Sequence, residues 1–486
     1  MVFFRSHKLT RLHCRPARAK IDFPATSPSS QAPSVKSSLY FIAIAASIAL
    51  LPCSQADEPI RVGVFSVDAS PPVGSPLAYD PCKAVELPLT AKGIVILGKA
   101  KPIVLLSIDW IGIANDGHKL FREKLAATAG TDSSRVAVHA IHQHDAPVYD
   151  QSAYDILEKE GIAEKFLDKK LALDVMDRAS KAVEVAIKEA QPVSHLGIGH
   201  GIVEKVASNR RIMGPNGKVA AVRYTATKDE KIRNEPVGLI DPELKMISFW
   251  NGDKAIAVLT YYATHPQSYY RTGLANPDFP GMARNEREKD TYVPHIHFNG
   301  AGGNIGAGKW NDGSPANRPI LAARVVAGMK SAWDSTKRTP ITANDLGWEV
   351  ERVALPAGRH LDSKALEAAT ADKNADATAR ANAAYDLAWL RRAEKADPFE
   401  ISCLTLGSAR ILHMPGELFV EYQLAAQKMR PDLFVAMAAY GDYAPGYIGT
   451  AIAYPEGGYE TSPRATRVDE RSEALLMPVL ERLLKK

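Results

Sequence analysis

The stretch GIVILGKAKPIVLLSID (93–109) sets the tightest limit on the fold. Two apolar runs, GIVILG (93–98) and PIVLLSID (102–109), are separated only by Lys99-Ala100-Lys101, which predicts an antiparallel hairpin. A second hairpin is predicted where KMISFW and AIAVLTYY flank Asn251-Gly252-Asp253, because Asn-Gly suits the positive φ of a tight turn. IRVGVFSV (60–67) reads as a further strand, and RVAVHAIHQH (135–144) as a strand by its alternation. Helices are expected near 118–128, along the Ala-, Lys- and Glu-rich 163–190, and as one or two exposed helices in 362–396, a solvated surface insertion. LTLGSARILHMPGELFVEYQLAAQKM reads as a strand, a Pro-Gly turn and a helix. Helices and strands alternate, with hairpins among them. That predicts an α/β fold, a layered domain with mixed β-sheets flanked by helices rather than a strict βαβ array. No internal repeat is visible.

The charge of the chain is concentrated at its start. Seven of the 60 basic residues and one of the 55 acidic residues lie in 1–56, which leaves 53 basic and 54 acidic residues in 57–486. The remainder gives no argument for nucleic-acid binding. Basic residues precede the apolar run from Leu39 to Leu51, followed by Ser54-Gln55-Ala56, a small-x-small pattern. Residues 1–56 therefore read as an export leader cleaved after Ala56, leaving 57–486 as one domain. The run falls short of the roughly 20 residues of a membrane span, so no span is expected in the mature chain. A lipoprotein anchor at Cys53 fits less well, because Pro52 stands where such signals usually carry a small residue. Cys14 and Cys53 would leave with the leader; Cys82 and Cys403 remain, and the sequence does not decide whether they pair.

Several short motifs carry polar chemistry. His142 and His144 in IHQHDAP stand two apart at the end of a strand, where they offer metal ligands or one ligand and one acid/base. His265 ends another strand in YYATHPQS and precedes a proline. Pro415-Gly416 in MPGEL turns into a helix with Glu417 in its first turn. Tyr447, Tyr454 and Tyr459 lie in a glycine-rich loop, GYIGTAIAYPEGGYE. GNIGAGKW (303–310) nearly spells a phosphate-binding loop, but Trp310 stands where that motif needs Ser or Thr. Cys14-Arg15-Pro16-Ala17-Arg18 matches a sulfatase core but lies in the leader, and neither HExxH nor GxSxG occurs.

The order of these motifs resembles that of the neutral ceramidase family, from VGVFSVDASPPVG (62–74) through His-x-His, Asn209-Arg210, His-Pro, the Gly/Asn loop and Pro-Gly-Glu to the tyrosine loop. The resemblance implies a ceramidase-like catalytic domain that binds one zinc ion through His142, His265, Glu417 and Tyr447. It implies catalytic roles for His144, beside the metal, for Arg210, near the substrate carbonyl, and for Tyr459. The family's loop carries a serine needed for ceramide turnover, in a Ser-Asn-x-Gly-Asp pattern. Here Gly303-Asn304-Ile305-Gly306-Ala307 stands in its place, so Gly303 and Asn304 mark an altered substrate loop. Because the sequence ends soon after the tyrosine loop, the resemblance is expected to cover the family's catalytic domain and not its extra C-terminal β-domain.

These readings lead to an exported zinc hydrolase that cleaves the amide of a small-molecule or lipid-like N-acyl substrate, with ceramide itself disfavoured. Two alternatives stay open. One is a metal hydrolase of a soluble, sugar-derived substrate, suggested by Gly303 and by Tyr261, Tyr262, Tyr269 and Tyr270 near His265. The other is a binding protein that kept the fold without turnover.

Overall fold

The chain builds three mixed sheets in succession. The computed structural model describes residues 59–485; the leader, its cleavage point, Cys14 and Cys53 lie outside them. The first sheet contains β1 (Ile60–Asp68), β2 (Thr90–Leu97), β3 (Ile103–Ile108), β4 (Val136–Ala140) and β5 (Gln191–Val193), in the order β4-β3-β2-β1-β5. The predicted hairpin is β2–β3, with Ile96 opposite Ile103. Helix α1 (Asn115–Ala129) then carries the chain across to β4, which runs parallel to β3. Helix α2 (Lys169–Lys188) covers the same outer face.

The second sheet repeats this plan. It contains β6 (His195–Ile202), β7 (Glu243–Asn251), β8 (Lys254–Tyr262), β9 (His295–Asn299) and β10 (Lys337–Pro340), ordered β9-β8-β7-β6-β10. The Asn-Gly hairpin is β7–β8, and Gly252 turns at φ +57°, a conformation that costs other residues energy. Helix α3 (Asp278–Thr291) leads to β9, parallel to β8, and α4 (Asn317–Asp334) packs beside it. The third sheet contains β11 (Leu346–Val353), β12 (Phe399–Leu406), β13 (Ala409–His413) and β14 (Phe434–Ala438). Helix α5 (Val420–Met429) joins β13 to the parallel β14, and α6 (Arg471–Lys485) packs on the same face.

Each sheet therefore contains one unit: three successive antiparallel strands, a helix, and a fourth strand parallel to the third. The unit occurs three times, a repeat that the sequence does not display. The parallel pairs β3/β4, β8/β9 and β13/β14 each bring two C-terminal ends together, where α/β folds commonly place their sites.

Period-two alternation explains the layering. In β3, Val104, Leu106 and Ile108 face α1 and α2, whereas Ile103 and Leu105 face a core shared by all three sheets. Ile94, Leu105, Ile247, Phe298, Ile411 and Phe434 meet in that shared core. Leu105→Ala would leave a cavity there and is expected to destabilise the chain by about 2–5 kcal/mol, read from the denaturant midpoint.

Four local expectations are corrected. The strand over 135–144 ends at Ala140, because His142 takes a left-handed φ of 66°. The stretch 163–190 is broken, with a 3-10 turn at Ala163–Lys165 before α2 begins at Lys169. The segment at 362–396 forms two helices, Ser363–Ala371 and Ala377–Glu394, but the second is not simply solvated. Its Ala381, Ala384 and Leu387 pack on Tyr154 and Leu157, and Trp389 is buried. The segment at 404–429 opens with a hairpin, β12–β13, not a single strand. Cys82 and Cys403 are both free and buried in separate cores. Among the described residues, no helix is long and apolar enough to cross a membrane.

Candidate metal centre

Each of the three units contributes to one buried cluster. Beyond β4, the backbone N–H of His142 bonds Trp110 O at 3.0 Å, and its positive φ swings the ring out of the Val136–Val138–Ala140 row. A non-glycine residue there costs on the order of 1–2 kcal/mol, and such strain gathers at functional sites. The His142 Nδ1–H donates to Ile111 O (2.7 Å). Beyond β8, His265 Nδ1–H donates to Gly302 O (3.1 Å). Both Nε2 atoms are thereby left as lone pairs, the tautomer a metal ligand needs. Beyond β13, Gly416 turns at φ +61° and Glu417 pairs with Tyr447 in a short parallel bridge. Glu417 is thus not in the first turn of α5, which starts at Val420.

The three side chains converge. His142 Nε2 lies 3.2 Å from His265 Nε2 and 3.2 Å from Glu417 Oε2; His265 Nε2 lies 3.3 Å from the same oxygen. All three residues are buried, and Glu417 Oε2 has no hydrogen-bond partner. With both rings neutral, two imidazole nitrogens and a carboxylate oxygen face one another, and the one hydroxyl beside them is that of Tyr447, 3.4 Å from His265 Nε2. Burying them so is costly unless a cation sits at their centre. Donors about 2.0–2.1 Å from a tetrahedral zinc stand about 3.3 Å apart, which matches these edges. Tyr447 O–H, 3.4 Å from His265 Nε2, stands at the same point and offers a fourth, weaker donor. The residues present fit a divalent ion.

His144 sits at the edge of this group. Its ring centroid is 4.8 Å from that of His142, and His142, His144 and His265 all place ligand atoms within 4.8 Å of one another. The three imidazoles are thus a second possible ligand set. The Glu417 edges are shorter and its oxygen has no other partner, so the carboxylate set is favoured, with His144 outside it. His144 Nδ1 meets Tyr79 O–H at 3.1 Å, and its Nε2 is buried without a partner. Burial, then His142 and Arg210, hold His144 well below the ordinary imidazole range, so it is neutral at pH 7.

Arg210 reaches the cluster from the other side. Its Nη1–H donates to Tyr447 O–H (3.0 Å), and its Nε lies 3.1 Å from the fully buried Glu460 carboxylate. The guanidinium lies 5.6–5.7 Å from the ring centres of Tyr224, Tyr447 and Tyr459. Burial alone would lower its pKa, but Tyr447 and Glu460 raise it, so it stays charged. Tyr459 closes the cage, 5.8 Å from Tyr447.

The stretch GNIGAGKW wraps the back of the centre. Gly303 N–H donates to Leu418 O (2.8 Å), and a Cβ at 303 would come within 2.9 Å of Glu417 C and 3.0 Å of Leu418 O, closer still to the Glu417 carbonyl oxygen. Asn304 Nδ2 donates to Glu421 (2.8 Å), and its Oδ1 accepts from Val420 N–H (2.9 Å), so it clamps the start of α5. Lys309 Nζ donates to the carbonyls of Arg233, Asn234 and Glu235. The lysine is engaged by backbone, which removes the phosphate-loop reading.

Of the tyrosines expected near His265, Tyr261 and Tyr262 are buried in the core, and Tyr269 lies against Arg318, 3.7 Å from its ring centre. Only Tyr270 reaches the site, 5.7 Å from His144 and 5.1 Å from Tyr79. Tyr454 bonds Thr466 instead. Sequence reasoning misses Tyr79, Tyr440, Tyr443 and Glu460. Tyr440 stacks on His142 at 4.5 Å. Tyr443 O–H donates to Glu417 Oε1 (2.9 Å), and burial followed by Glu417 raises its pKa, so it keeps its proton. The Tyr440-Gly441-Asp442-Tyr443 run just past a strand end was the available signal.

No protein-family model and no curated protein matches the chain. Solved structures do. A ceramidase complexed with C2 superposes with a TM-score of 0.64 at 16% identity, over 88% of this chain and 75% of the other. A neutral ceramidase from Pseudomonas aeruginosa superposes with a TM-score of 0.62 at 16% identity, over 88% and 74%. The three β-β-β-α-β units are thus arranged on the ceramidase fold.

Proposed function

We propose that the protein is an exported, zinc-dependent hydrolase of an amide (N-acyl) bond, and that ceramide is not its preferred substrate. The observation that carries this reading is the convergence of His142 Nε2, His265 Nε2 and Glu417 Oε2 at 3.2–3.3 Å, with Glu417 Oε2 buried and without a hydrogen-bond partner. Tyr447 would complete the shell. When bound, zinc supplies Lewis-acid polarisation of a carbonyl and lowers the pKa of water. The chain's own residues do the rest. Neutral His144, with Tyr79 on Nδ1 and a bare Nε2, is set to take a proton and return it to the leaving amine. Arg210, held charged by Glu460 and Tyr447, is set to meet developing negative charge, with Tyr459 beside it. Two imidazole donors in a set of four favour zinc over magnesium or calcium, which take all-oxygen shells. The leader over 1–56 supports export.

Metal analysis tests the proposal. About one zinc per wild-type chain is expected, lost in both His142→Ala and His265→Ala. A wild-type chain that stays metal-free after zinc addition would sink it in favour of a binding protein. Tyr443→Phe removes the partner of Glu417 Oε1 and is expected to weaken zinc about 10–100-fold in a chelator competition.

A second reading concerns the substrate. Tyr79, Tyr270 and Tyr224 are exposed at the rim, with Arg271 4.9 Å from the Tyr79 ring centre. Aromatic faces with hydroxyl edges favour a polar, sugar-derived N-acyl compound over a long acyl chain. Competition between short N-acyl lipids and N-acyl sugars separates the two.

A further inference from the structure

The rim of the metal centre carries a positive charge that no acid answers. Arg271 is exposed there, with its guanidinium 4.9 Å from the Tyr79 ring centre and 5.8 Å from that of Tyr270. Those two rings flank His144, at 5.8 and 5.7 Å, so a single ring separates the guanidinium from the imidazole. Among the described residues, the Arg271 side chain has no ion pair and no hydrogen bond. The acids around it are committed or out of reach. Asp145 accepts from Thr272 and lies 3.8 Å from Arg318. Glu460 faces Arg210 at 3.1 Å and Arg211 at 3.6 Å. Asp80, next to Tyr79 in the chain, forms no ion pair with Arg271. Arg210 deeper in the site is thus neutralised, and Arg271 is not.

The backbone holds this charge in place. Arg271 takes a left-handed φ of 63°, which is costly for any residue but glycine and is kept only where the surroundings fix it. Here they do. Thr272 N–H (3.2 Å) and Oγ1–H (2.8 Å) both donate to Asp145, the residue after His144, and Lys83 Nζ donates to Thr272 O (3.2 Å). The two tyrosine faces then set the guanidinium's place by cation–π attraction. A fork held this way is ready to meet a carboxylate with two parallel hydrogen bonds.

Its side of the site says which half of the substrate it meets. Arg210 and Tyr459 stand where the carbonyl oxygen is expected, and His144 where the amine leaves. Arg271 lies on the His144 side, so it faces whatever the amine carries.

We infer that Arg271 is a specificity-determining residue that pairs with a carboxylate on the amine half, so that the preferred substrate is an acidic N-acyl compound such as an N-acyl amino acid. This inference rests on the amide-hydrolase reading above. An uncharged amine half leaves Arg271 unanswered, in keeping with ceramide being disfavoured.

The test titrates the zinc-loaded full chain with N-acetylglycine and with N-acetylglycinamide, its uncharged counterpart, using calorimetry and saturation-transfer NMR. Hydrolysis of both is followed separately. The acid is expected to bind at least about fivefold tighter than the amide, a preference that shrinks as salt is raised. Arg271→Gln is expected to bring the two within about twofold of each other, with the bound-zinc stoichiometry of the parent chain. Arg464 is also exposed and without a partner, but its charge acts on Tyr459. Arg464→Gln is therefore expected to keep the parent's preference. Equal binding of acid and amide by the parent overturns the inference. So does a preference that survives Arg271→Gln, because the metal then takes the carboxylate. So does an equal loss in Arg464→Gln, because net charge alone then accounts for it. The preference is read from binding, without turnover. Hydrolysis of neither compound therefore counts against the amide-hydrolase reading, and a missing preference against the role of Arg271.

Discussion

Glu417→Gln is expected to abolish zinc binding while making the metal-free chain more stable. The two effects have opposite signs and one cause. The wild-type carboxylate presents Oε2, buried and unpartnered, to two imidazole lone pairs at 3.2 and 3.3 Å. A cation satisfies all three; without one they repel. An amide keeps the shape but loses the charge, so zinc affinity should fall by more than the roughly 100-fold typical of outer-sphere changes. The amide N–H can then donate to His142 or His265 Nε2, giving a buried acceptor its partner. That is worth about 1–3 kcal/mol to the metal-free protein. Urea denaturation in chelator should therefore show a higher midpoint for the variant, and zinc should raise the midpoint of the wild type alone. A variant less stable than the wild type in chelator would mean that the three acceptors do not face one another bare.

Gly303→Ser is the second large effect, and it runs against a simple repair of the altered loop. The serine would restore the residue type that the ceramidase resemblance expects at this position. Yet its Cβ would press on the backbone carbonyl of Glu417, with Glu417 C at 2.9 Å and Leu418 O at 3.0 Å. Backbone cannot swing aside like a flexible side chain, so one of the two segments must move. The expected cost is about 3 kcal/mol or more, at the upper end of overpacking effects, with zinc weakened because Glu417 is displaced. Gly303→Ala should behave alike, since the clash belongs to Cβ. If the serine variant were stable and active while the alanine variant was not, the hydroxyl would matter and the packing argument would fail.

The sequence made the local parts of this fold legible. The β2–β3 and β7–β8 hairpins follow from alternation and short turns, which act over a few residues. The threefold plan was hidden because the units share topology and not residues: the links from third to fourth strand differ in length and content. The site was legible as a set of residue types but not as geometry. His142 and His144 were expected to emerge together by strand alternation; they meet instead because His142 breaks the strand at φ 66°. Glu417 was expected in a helical turn, and its pairing with Tyr447 could not be read because the two are distant in the chain. Tyr79 and Glu460 had no motif around them. Their parts depend on what lies across the fold.

The division of the centre among three units has a consequence for when the ion arrives. His142 follows the first unit's parallel strand, His265 belongs to the second unit, and Glu417 and Tyr447 to the third. A growing chain holds no two of these donors in reach until its middle is made and folded, and lacks the carboxylate until nearly the end. Partial chains therefore have little hold on zinc. If the chain is exported unfolded, as proposed, loading has to follow transit, and the metal supply that matters would be that of the compartment of arrival.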